Sequence, residues 1–347
     1  MSIAALRRAG LDVVEHDARP VLKHYPLGGL TLPGGPGGVW IIQLNAPECV
    51  AVLQAIRHDD WRDRYRIGYW VWETTLAPEG WTDVAGWFHE IWTISRFSAD
   101  ALIARFRLAG RPELAERVHI MPCPRPRIAG HRRRAAFGLS EDARVALSLF
   151  DGRSTFARKN PLGVVKAWVA AFPEPSAVTQ LAIKSIAMAA DPAAAGQLRA
   201  ATAGRADIVI IDQVLTDADM ADLVATADVV VSLHRSEGFG LLLAEAMVLG
   251  KLVISSRYSA PAEWLNDANA LLVDVDERPV ADPSGAYVDG GWGEPRPSAA
   301  VRALLLAFDA SAEWGSVCSA AQRDSEAFDF QWEKASVMKQ PFNRFVR

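Results

Sequence analysis

The amino-acid sequence predicts an α/β protein made of two domains, each built around a parallel β-sheet. Its 347 residues exceed the length at which one hydrophobic core usually suffices. Short runs of β-branched residues also alternate with helix-like stretches along both halves of the chain. Strands that alternate with helices form βαβ units, whose parallel sheets are buried between helices.

The bulk composition is that of an ordinary globular protein. Apolar residues make up 50% and charged residues 22%, and the net charge of −4 gives no reason to expect nucleic acid as a partner. The three cysteines, Cys49, Cys123 and Cys318, form no CxxC pair, which argues against a disulfide framework or a structural zinc site. No apolar run reaches about 18 residues, so we expect no transmembrane helix and a cytoplasmic protein.

The first half begins without the strand that usually opens such a domain. The chain starts in the helix-like MSIAALRRAG, so we expect a first domain that lacks its opening strand, or a natural start further upstream. Further strands are predicted where β-branched and aromatic residues cluster, at 39–44, 66–72 and 90–94.

Two features of this half invite functional interpretations. The glycines of GGLTLPGGPGG (28–38) suggest a phosphate loop, but the prolines and the strand that follows favour a surface loop. A tryptophan cluster predicts core or lid packing, with sugar stacking as the alternative, and comprises Trp70, Trp72 and Trp81.

The second half follows a basic, proline-rich stretch, PCPRPRIAGHRRR (122–134), which predicts a solvated connection between domains. Beyond it, strands are predicted at RVALSLF, TQLAIKS, ADIVIID, ADVVVSL and KLVISS, with helices between them, as in a Rossmann-like domain. We therefore assign residues 1–134 to the first domain and 135–322 to the second. Residues 323–347 are assigned to a C-terminal helical segment that could cross back to the first domain.

Two glutamates stand where a strand of the second domain turns into a helix. HRSEGFG follows ADVVVSL, and ligands of doubly wound sheets lie beyond the carboxyl ends of strands. Gly238 and Gly240 permit the turn, and the following helix N-terminus favours phosphate. Glu237 could reach a ligand's polar end and Glu245 a ribose diol. The alternatives are a capping carboxylate for Glu237 and a salt-bridged helix residue for Glu245.

Basic residues after the first strand of this domain could hold the same anion. Arg153, Arg158 and Lys159 precede the helix predicted over PLGVVKAWVAAFP, where cations oppose the helix dipole unless an anion lies between them. A solvated pair is the alternative for Arg158 and Lys159. Lys184, which ends the strand TQLAIK, could line the same cleft.

These motifs resemble those of a known family. SEGFGLLLAEAMVLGKLVIS resembles the EX7E signature of family four of the retaining glycosyltransferases, and the stretch 150–173 resembles its donor-phosphate segment. The stretches IGYWVWETTLAPEGW, EIWTISRFSADAL and GGWGEP are similar to a bacterial subgroup that acts in polysaccharide and lipopolysaccharide assembly. The resemblance covers the chain from about residue 40 to residue 296, and implies the GT-B fold of two facing Rossmann-like domains.

The resemblance implies a role for each matching residue. Glu237 and Lys159 would be catalytic, with Glu237 on the donor sugar and Lys159 on the donor diphosphate, while Glu245 would bind the ribose. Arg153 would complete the diphosphate clamp with Lys159, and Arg158 is adjacent to Lys159. The backbone amides that would face the donor phosphates belong to Gly238, Phe239, Gly240 and Leu241.

The expected activity is a retaining, metal-independent transfer of a hexose, with mannose favoured, from a nucleotide-diphosphate sugar to a glycan or lipid-linked acceptor. No cofactor is expected, and no DxD-type carboxylate cluster lies near the motif. Lipid-linked acceptors would bring the protein into peripheral contact with the inner membrane face. Trp72 and Glu73 stand where the family commonly has a histidine. Two alternatives stay open: a nucleotide-sugar epimerase, which shares the two-domain architecture, and a non-catalytic nucleotide-sugar-binding protein with a degenerate first domain, which the missing first strand would explain.

Overall fold

The computed structural model describes residues 2–8, 10–24, 38–152, 154–309 and 312–329. The chain divides into unit 1, Met1–Pro124 with Ala327–Arg347, and unit 2, Arg125–Glu326, whereas the sequence placed the boundaries at 134 and 322. Nearly all of the 28–38 loop, and the predicted helical segment beyond 329, lie outside the described residues. No helix within the described ranges is both long enough and apolar enough to cross a membrane.

Unit 1 is built around a four-stranded parallel sheet in the order β1-β2-β3-β4. The first three strands confirm the sequence prediction. The fourth was not predicted, because its three residues are too few for a periodic pattern. The strands are β1 (Val39–Ile42), β2 (Tyr65–Trp70), β3 (Glu90–Thr93) and β4 (Val118–Ile120), and the helices are α1 (Ser2–Arg8), α2 (Arg19–His24), α3 (Ala46–Ala55), α4 (His58–Trp61), α5 (Trp81–Ala85), α6 (Arg96–Leu108) and α7 (Pro112–Ala115).

The tryptophan cluster of unit 1 belongs to its hydrophobic core. Trp70 is fully buried, and its ring centroid lies 5.5 Å from that of Trp81 in an edge-to-face arrangement. Trp72 packs against Trp81 at 5.1 Å and donates its indole N–H to the hydroxyl of Thr74 at 2.7 Å. Burial of all three tryptophans confirms core packing over sugar stacking.

Unit 2 contains a six-stranded parallel sheet in the order β10-β9-β8-β5-β6-β7 and a two-stranded antiparallel hairpin. The hairpin pairs β11 (Val275–Pro279) with β12 (Gly291–Pro295). The sheet strands are β5 (Arg144–Asp151), β6 (Thr179–Ile186), β7 (Ile208–Asp212), β8 (Val229–Ser232), β9 (Leu252–Ser256) and β10 (Leu271–Val273). The helices are α8 (Phe156–Lys159), α9 (Pro161–Ala171), α10 (Pro192–Ala201), α11 (Asp217–Thr226), α12 (Leu241–Val248), α13 (Pro297–Phe308) and α14 (Gly315–Asp324).

The core of unit 2 lies between this sheet and its helices. Trp168 on α9 is fully buried, packs against the rings of Phe172 and Phe308, and donates its indole N–H to Asp207 at 2.8 Å. Arg205 closes the same network with two bonds to the Asp207 carboxylate, at 2.8 and 2.7 Å. The parallel α/β architecture predicted from the sequence is therefore confirmed.

The second half of the basic stretch between the predicted domains is bonded to α11 and the turn after it, although the side chains of His131, Arg132 and Arg133 are exposed. The amide of His131 donates to Asp222 on α11 at 2.8 Å, and the amide of Arg133 donates to the hydroxyl of Thr226 at 2.8 Å. Arg134 is only 2% exposed and bonds to Asp228 at 2.5 Å. Its arginines bind the acidic face of α11 and the turn after it, which a local reading of charge could not detect.

Candidate functional site

The loops that follow β5 and β8 bring the predicted site residues together. The chain runs outward from β5 through β6 to β7 and then returns to β8 on the other side of β5. Neighbouring strands whose connections leave in opposite directions open a crevice beyond their carboxyl ends, where doubly wound sheets bind ligands. Helix α8 follows β5 with Arg158 and Lys159, and the segment 233–240 follows β8 with Glu237.

Glu237 forms ion pairs with both neighbouring cations. The Lys159 ammonium lies 2.5 Å from Oε1 of Glu237, and the Arg158 guanidinium lies 3.4 Å from Oε2. The three side chains are 23%, 4% and 13% exposed for Lys159, Arg158 and Glu237, so solvent screens the group only weakly. Burial alone raises the pKa of Glu237, but the attraction of Lys159 and Arg158 outweighs it and lowers the pKa to about 2.

The charges in this cluster do not cancel. Within the described residues, the cluster formed by Lys159, Arg158 and Glu237 holds two cations and one carboxylate, so its three side chains together carry one positive charge. The buried His234 does not change this balance, because burial lowers its pKa to about 4 and the ring is neutral at pH 7. A partly buried excess of positive charge attracts an anionic ligand.

The sequence argument from the helix dipole is wrong. Arg158 and Lys159 lie in the last turn of the short helix α8 and not at the start of α9, so a dipole would favour them there. Asn160 separates the two helices with a left-handed backbone (φ 53°), and its side chain caps α9 by accepting the amide of Gly163 at 3.1 Å. The excess of charge around Glu237 replaces the dipole as the reason to expect an anion.

Arg158 is held in one orientation. Its guanidinium donates to the carbonyl of Ser236 and to the hydroxyl of Ser154, both at 2.9 Å. The ring centroid of Tyr287 lies 5.6 Å from its Cζ atom. The Asn160 side-chain amide donates to the carbonyl of Leu233 at 2.9 Å, which ties α8 to the loop that carries Glu237.

The backbone of Glu237 rests on a strained serine. The amide of Glu237 donates to Oγ of Ser259 at 2.8 Å, and that hydroxyl donates to the carbonyl of Tyr258 at 2.7 Å. Ser259 has φ 59° and ψ −155°, a region that residues other than glycine seldom adopt. Sequence reasoning missed Ser259, because a serine at positive φ leaves no local signal.

Glycines open the helix that follows Glu237. Gly240 adopts φ 90° and stands directly before α12, where a Cβ atom would lie 2.9 Å from Cγ of Pro261. Gly238 and Phe239 are buried, whereas Leu241, the first residue of α12, is 41% exposed. The first amides of a helix lack partners within it and can bind an anion.

Glu245 lies within α12, and its carboxylate has no hydrogen bond or ion pair among the described residues. Burial raises its pKa to about 7, and the nearby Asp217 carboxylate adds to the effect. A half-buried carboxylate of this kind can accept hydrogen bonds from ligand hydroxyl groups. Two more polar groups of the crevice, the buried hydroxyls of Ser236 and Thr155, also lack a partner among the described residues.

One predicted donor-binding residue, Lys184, is bonded away from this group. Lys184 is fully buried, and its ammonium donates to the carbonyls of Ser185 and Gln213, the latter at 2.6 Å. Burial lowers its pKa, and no bond within the described ranges joins Lys184 to Lys159 or Glu237. Arg153 lies outside the described residues.

Chemically, the crevice combines cations, helix amides and two acidic residues in different states. Glu237 is ionised over the whole neutral range, whereas Glu245 changes its charge near pH 7. Among the described residues, no three His, Cys, Asp or Glu side chains form a cluster that could hold a metal ion. The cluster of Lys159, Arg158 and Glu237 suits a ligand with an anionic centre.

The comparisons with solved structures agree with the fold. The similarity to the Anabaena HepE protein in complex with UDP and glucose covers 88% of this chain and 77% of that protein (TM-score 0.61, 13% identity). It resembles an α,α-trehalose-phosphate synthase (UDP-forming) from Burkholderia xenovorans over 88% and 73% (TM-score 0.61, 12% identity). It resembles the sucrose-phosphate synthase of Thermosynechococcus elongatus over 89% and 73% (TM-score 0.58, 15% identity).

These likenesses establish an α/β fold with parallel sheets that is shared with GT-B glycosyltransferases. The search among curated proteins found no match. Residues 149–282, which include Arg158, Lys159, Glu237 and Glu245, match the family model described as Glycosyl transferases group 1.

Proposed function

We propose that the protein is a retaining glycosyltransferase that moves a hexose from a nucleotide-diphosphate sugar to a glycan or lipid-linked acceptor. The observation that carries this proposal is the excess positive charge around Glu237, at the crevice where β5 and β8 end. The match of residues 149–282 to a glycosyltransferase family supports it. Mannose from a guanosine donor follows from the subgroup resemblance alone.

The two cations have a direct use in this chemistry. When the anomeric C–O bond breaks, its electron pair moves to the departing phosphate, and positive charge develops on the sugar. Lys159, Arg158 and the first amides of α12 would stabilise the phosphate charge more in the transition state than in the ground state. We assign Arg153 to the same anion by resemblance. No cofactor or metal ion is required in this scheme.

Donor binding would change the partners of Glu237. A diphosphate brings two or more negative charges toward cations that now face one carboxylate, so it competes with Glu237 for Lys159. Glu237 could then accept a hydrogen bond from a sugar hydroxyl. The acceptor hydroxyl would attack the anomeric carbon from the leaving-group face, so the anomeric configuration would be retained. Its proton would pass to the departing phosphate.

The remaining polar groups would define the ends of the donor. Glu245 would accept hydrogen bonds from the two ribose hydroxyls, because its carboxylate has no partner among the described residues. The hydroxyls of Ser236 and Thr155 could satisfy oxygen atoms of the sugar or phosphate. Lys184 would act indirectly, by fixing the end of β6 through its two carbonyl partners.

The test is incubation of the purified protein with labelled UDP-glucose, UDP-N-acetylglucosamine and GDP-mannose, with and without a chelator. Nucleoside diphosphate release together with a glycosylated acceptor is expected, and NMR of the product should show the anomeric configuration of the donor. Interconversion of the sugars would indicate an epimerase. Binding without turnover for every donor and acceptor would indicate a non-catalytic protein, and either result would overturn the proposal.

Matched variants locate the activity. Lys159→Ala and Glu237→Gln should each lower turnover by at least about 100-fold. Lys166→Ala, which removes an exposed lysine of α9, should retain it. Equal activity in Lys159→Ala and Lys166→Ala would show that transfer does not depend on this crevice.

A further inference from the structure

Arg235 joins two segments that meet at the crevice. Its backbone amide donates to the carbonyl of Arg158 at 2.8 Å, and its guanidinium donates to the carbonyl of Ala157. Both acceptors lie directly before Lys159 in the chain, and Arg235 itself lies two positions before Glu237. Together with Arg158 and Asn160, Arg235 therefore joins the segment that carries Lys159 to the loop that carries Glu237.

The other side of Arg235 is bound to the hairpin β11–β12. Its guanidinium forms a two-pronged ion pair with Glu294, in which Nη2 lies 3.0 Å from Oε1 and Nε bonds to Oε2. The amide of Gly293 donates to the carbonyl of Arg235 at 2.9 Å. The ring centroid of Trp292 lies 5.4 Å from Cζ of Arg235.

The same hairpin contributes Tyr287, which packs near the guanidinium of Arg158. The hairpin thus contacts both arginines that flank the Lys159–Glu237 ion pair. Its second strand lies outside the part of the chain that matches the family model, which ends at residue 282. The function proposed above leaves this element without a role.

We propose that Arg235 and Glu294 are positioning residues that hold Lys159 and Glu237 in register for sugar transfer. This inference rests on the proposed function for its kinetic consequence. Neither side chain needs to touch the substrate, because the pair acts through the carbonyls of Ala157 and Arg158 and through the backbone of the loop.

Arginine suits this position better than lysine. A planar guanidinium can bind a carboxylate through two N–H groups and still donate a third to the carbonyl of Ala157. A lysine ammonium at the same place could reach one or two of these acceptors. Misplacement of a catalytic group by about 1 Å can cost about 100-fold in rate.

The experiment compares Arg235→Lys and Glu294→Gln with Arg296→Ala. Arg296, which directly follows β12, forms a more exposed ion pair with Asp276 of β11, at 3.0 and 2.8 Å, but has no bond to α8 within the described residues. We expect Arg235→Lys to lower kcat by about 10- to 100-fold with little change in donor KM. Glu294→Gln should keep the geometry of the pair and lower kcat by a smaller factor. Arg296→Ala should have the same kcat as the wild type.

A second readout does not depend on turnover. The carboxyl carbon of Glu237, followed by NMR during a pH titration, should report a higher pKa in Arg235→Lys, because Lys159 no longer stays beside it. Thermal unfolding of each variant shows whether it is folded. If Arg235→Lys does not fold, Glu294→Gln still tests the proposal.

The outcomes separate the two proposals. If kcat and the Glu237 titration of Arg235→Lys and Glu294→Gln both match those of Arg296→Ala, the positioning role is wrong, whether or not the protein transfers sugar. If the wild type transfers no sugar but Arg235→Lys still shifts the Glu237 titration, the proposed function fails and the positioning role stands.

Discussion

The ammonium group of Lys159 lies 2.5 Å from a carboxylate oxygen of Glu237, a residue 78 positions further along the chain. The two residues reach each other because β5 and β8 are neighbours in the sheet, although β6, β7 and the helices α8 to α11 separate these two strands in sequence. Arg158 approaches the other carboxylate oxygen and leaves positive charge in excess. This excess of positive charge is the reason why we propose an anionic ligand at the crevice.

Removal of Lys159 should change the titration of Glu237. In Lys159→Ala, burial still raises the pKa of Glu237 while only Arg158 lowers it, so we expect the pKa to rise from about 2 by at least about one unit. Carbon-13 NMR of the Glu237 carboxyl group measures this directly. Lys166→Ala should leave the titration unchanged, and an unshifted Glu237 in Lys159→Ala would contradict the ion pair.

The same ion pairs should govern stability in acid. The folded pKa of Glu237 lies below its unfolded value of about 4.5, so its stabilisation is present above that pH and is lost as the pH falls toward 2. Glu237→Gln should lose free energy of unfolding at pH 7 but little at pH 2. Urea unfolding at both pH values tests this, and an equal loss at both would rule out the ionic contribution.

Glu245 should show the opposite dependence on pH. Its folded pKa is about 7, above the unfolded value of about 4.5, so the folded state keeps a proton that the unfolded state loses between these values. The free energy of unfolding of the wild type therefore falls as the pH rises through this range. Glu245→Gln should be more stable than the wild type by at most about 3 kcal/mol above pH 7, and equal to it at pH 4.

Thermal unfolding at pH 4 and pH 8 measures this difference for Glu245. The control is Glu174→Gln, because Glu174 is exposed and lies outside the crevice-forming loops. A Glu245→Gln variant that gains no stability at pH 8 would show that burial does not penalise the charged form of Glu245.

The turn before α12 should depend on glycine for two separable reasons. At Gly240, an alanine must adopt φ 90° and would place Cβ 2.9 Å from Pro261. At Gly204 the φ of 75° is similar, but nothing lies within 4 Å of a Cβ atom. Gly204→Ala should cost about 1 kcal/mol from backbone strain, and Gly240→Ala about 1 to 3 kcal/mol more. Equal costs in urea unfolding would show that Pro261 moves aside freely.

The sequence predicted the parts of the site that depend on local pattern. The alternation of strands and helices placed Lys159 and Glu237 beyond strand ends, and the spacing of glycines marked the turn at Gly240. It could not predict that Arg235 binds Glu294, because the 59 positions between them carry no periodic signal. The sequence suggested that Lys184 could line the cleft, whereas its ammonium binds two buried carbonyls. The local sequence of a lysine at the end of a strand is the same in both cases.

Two substitutions of Ser259 should separate the cost of its backbone strain from the support that its hydroxyl gives to Glu237. Its hydroxyl accepts the Glu237 amide at 2.8 Å while its backbone occupies a region that favours glycine. Ser259→Ala loses the acceptor and keeps the strain, whereas Ser259→Gly loses the acceptor and relieves it. We therefore expect both to lower the rate of transfer by about tenfold, because the amide of Glu237 loses its partner. Ser259→Gly should be the more stable of the two by about 1 to 3 kcal/mol. Transfer rates and urea unfolding of both variants test these expectations. Unchanged rates would mean that Ser259 contributes only to the stability of the fold.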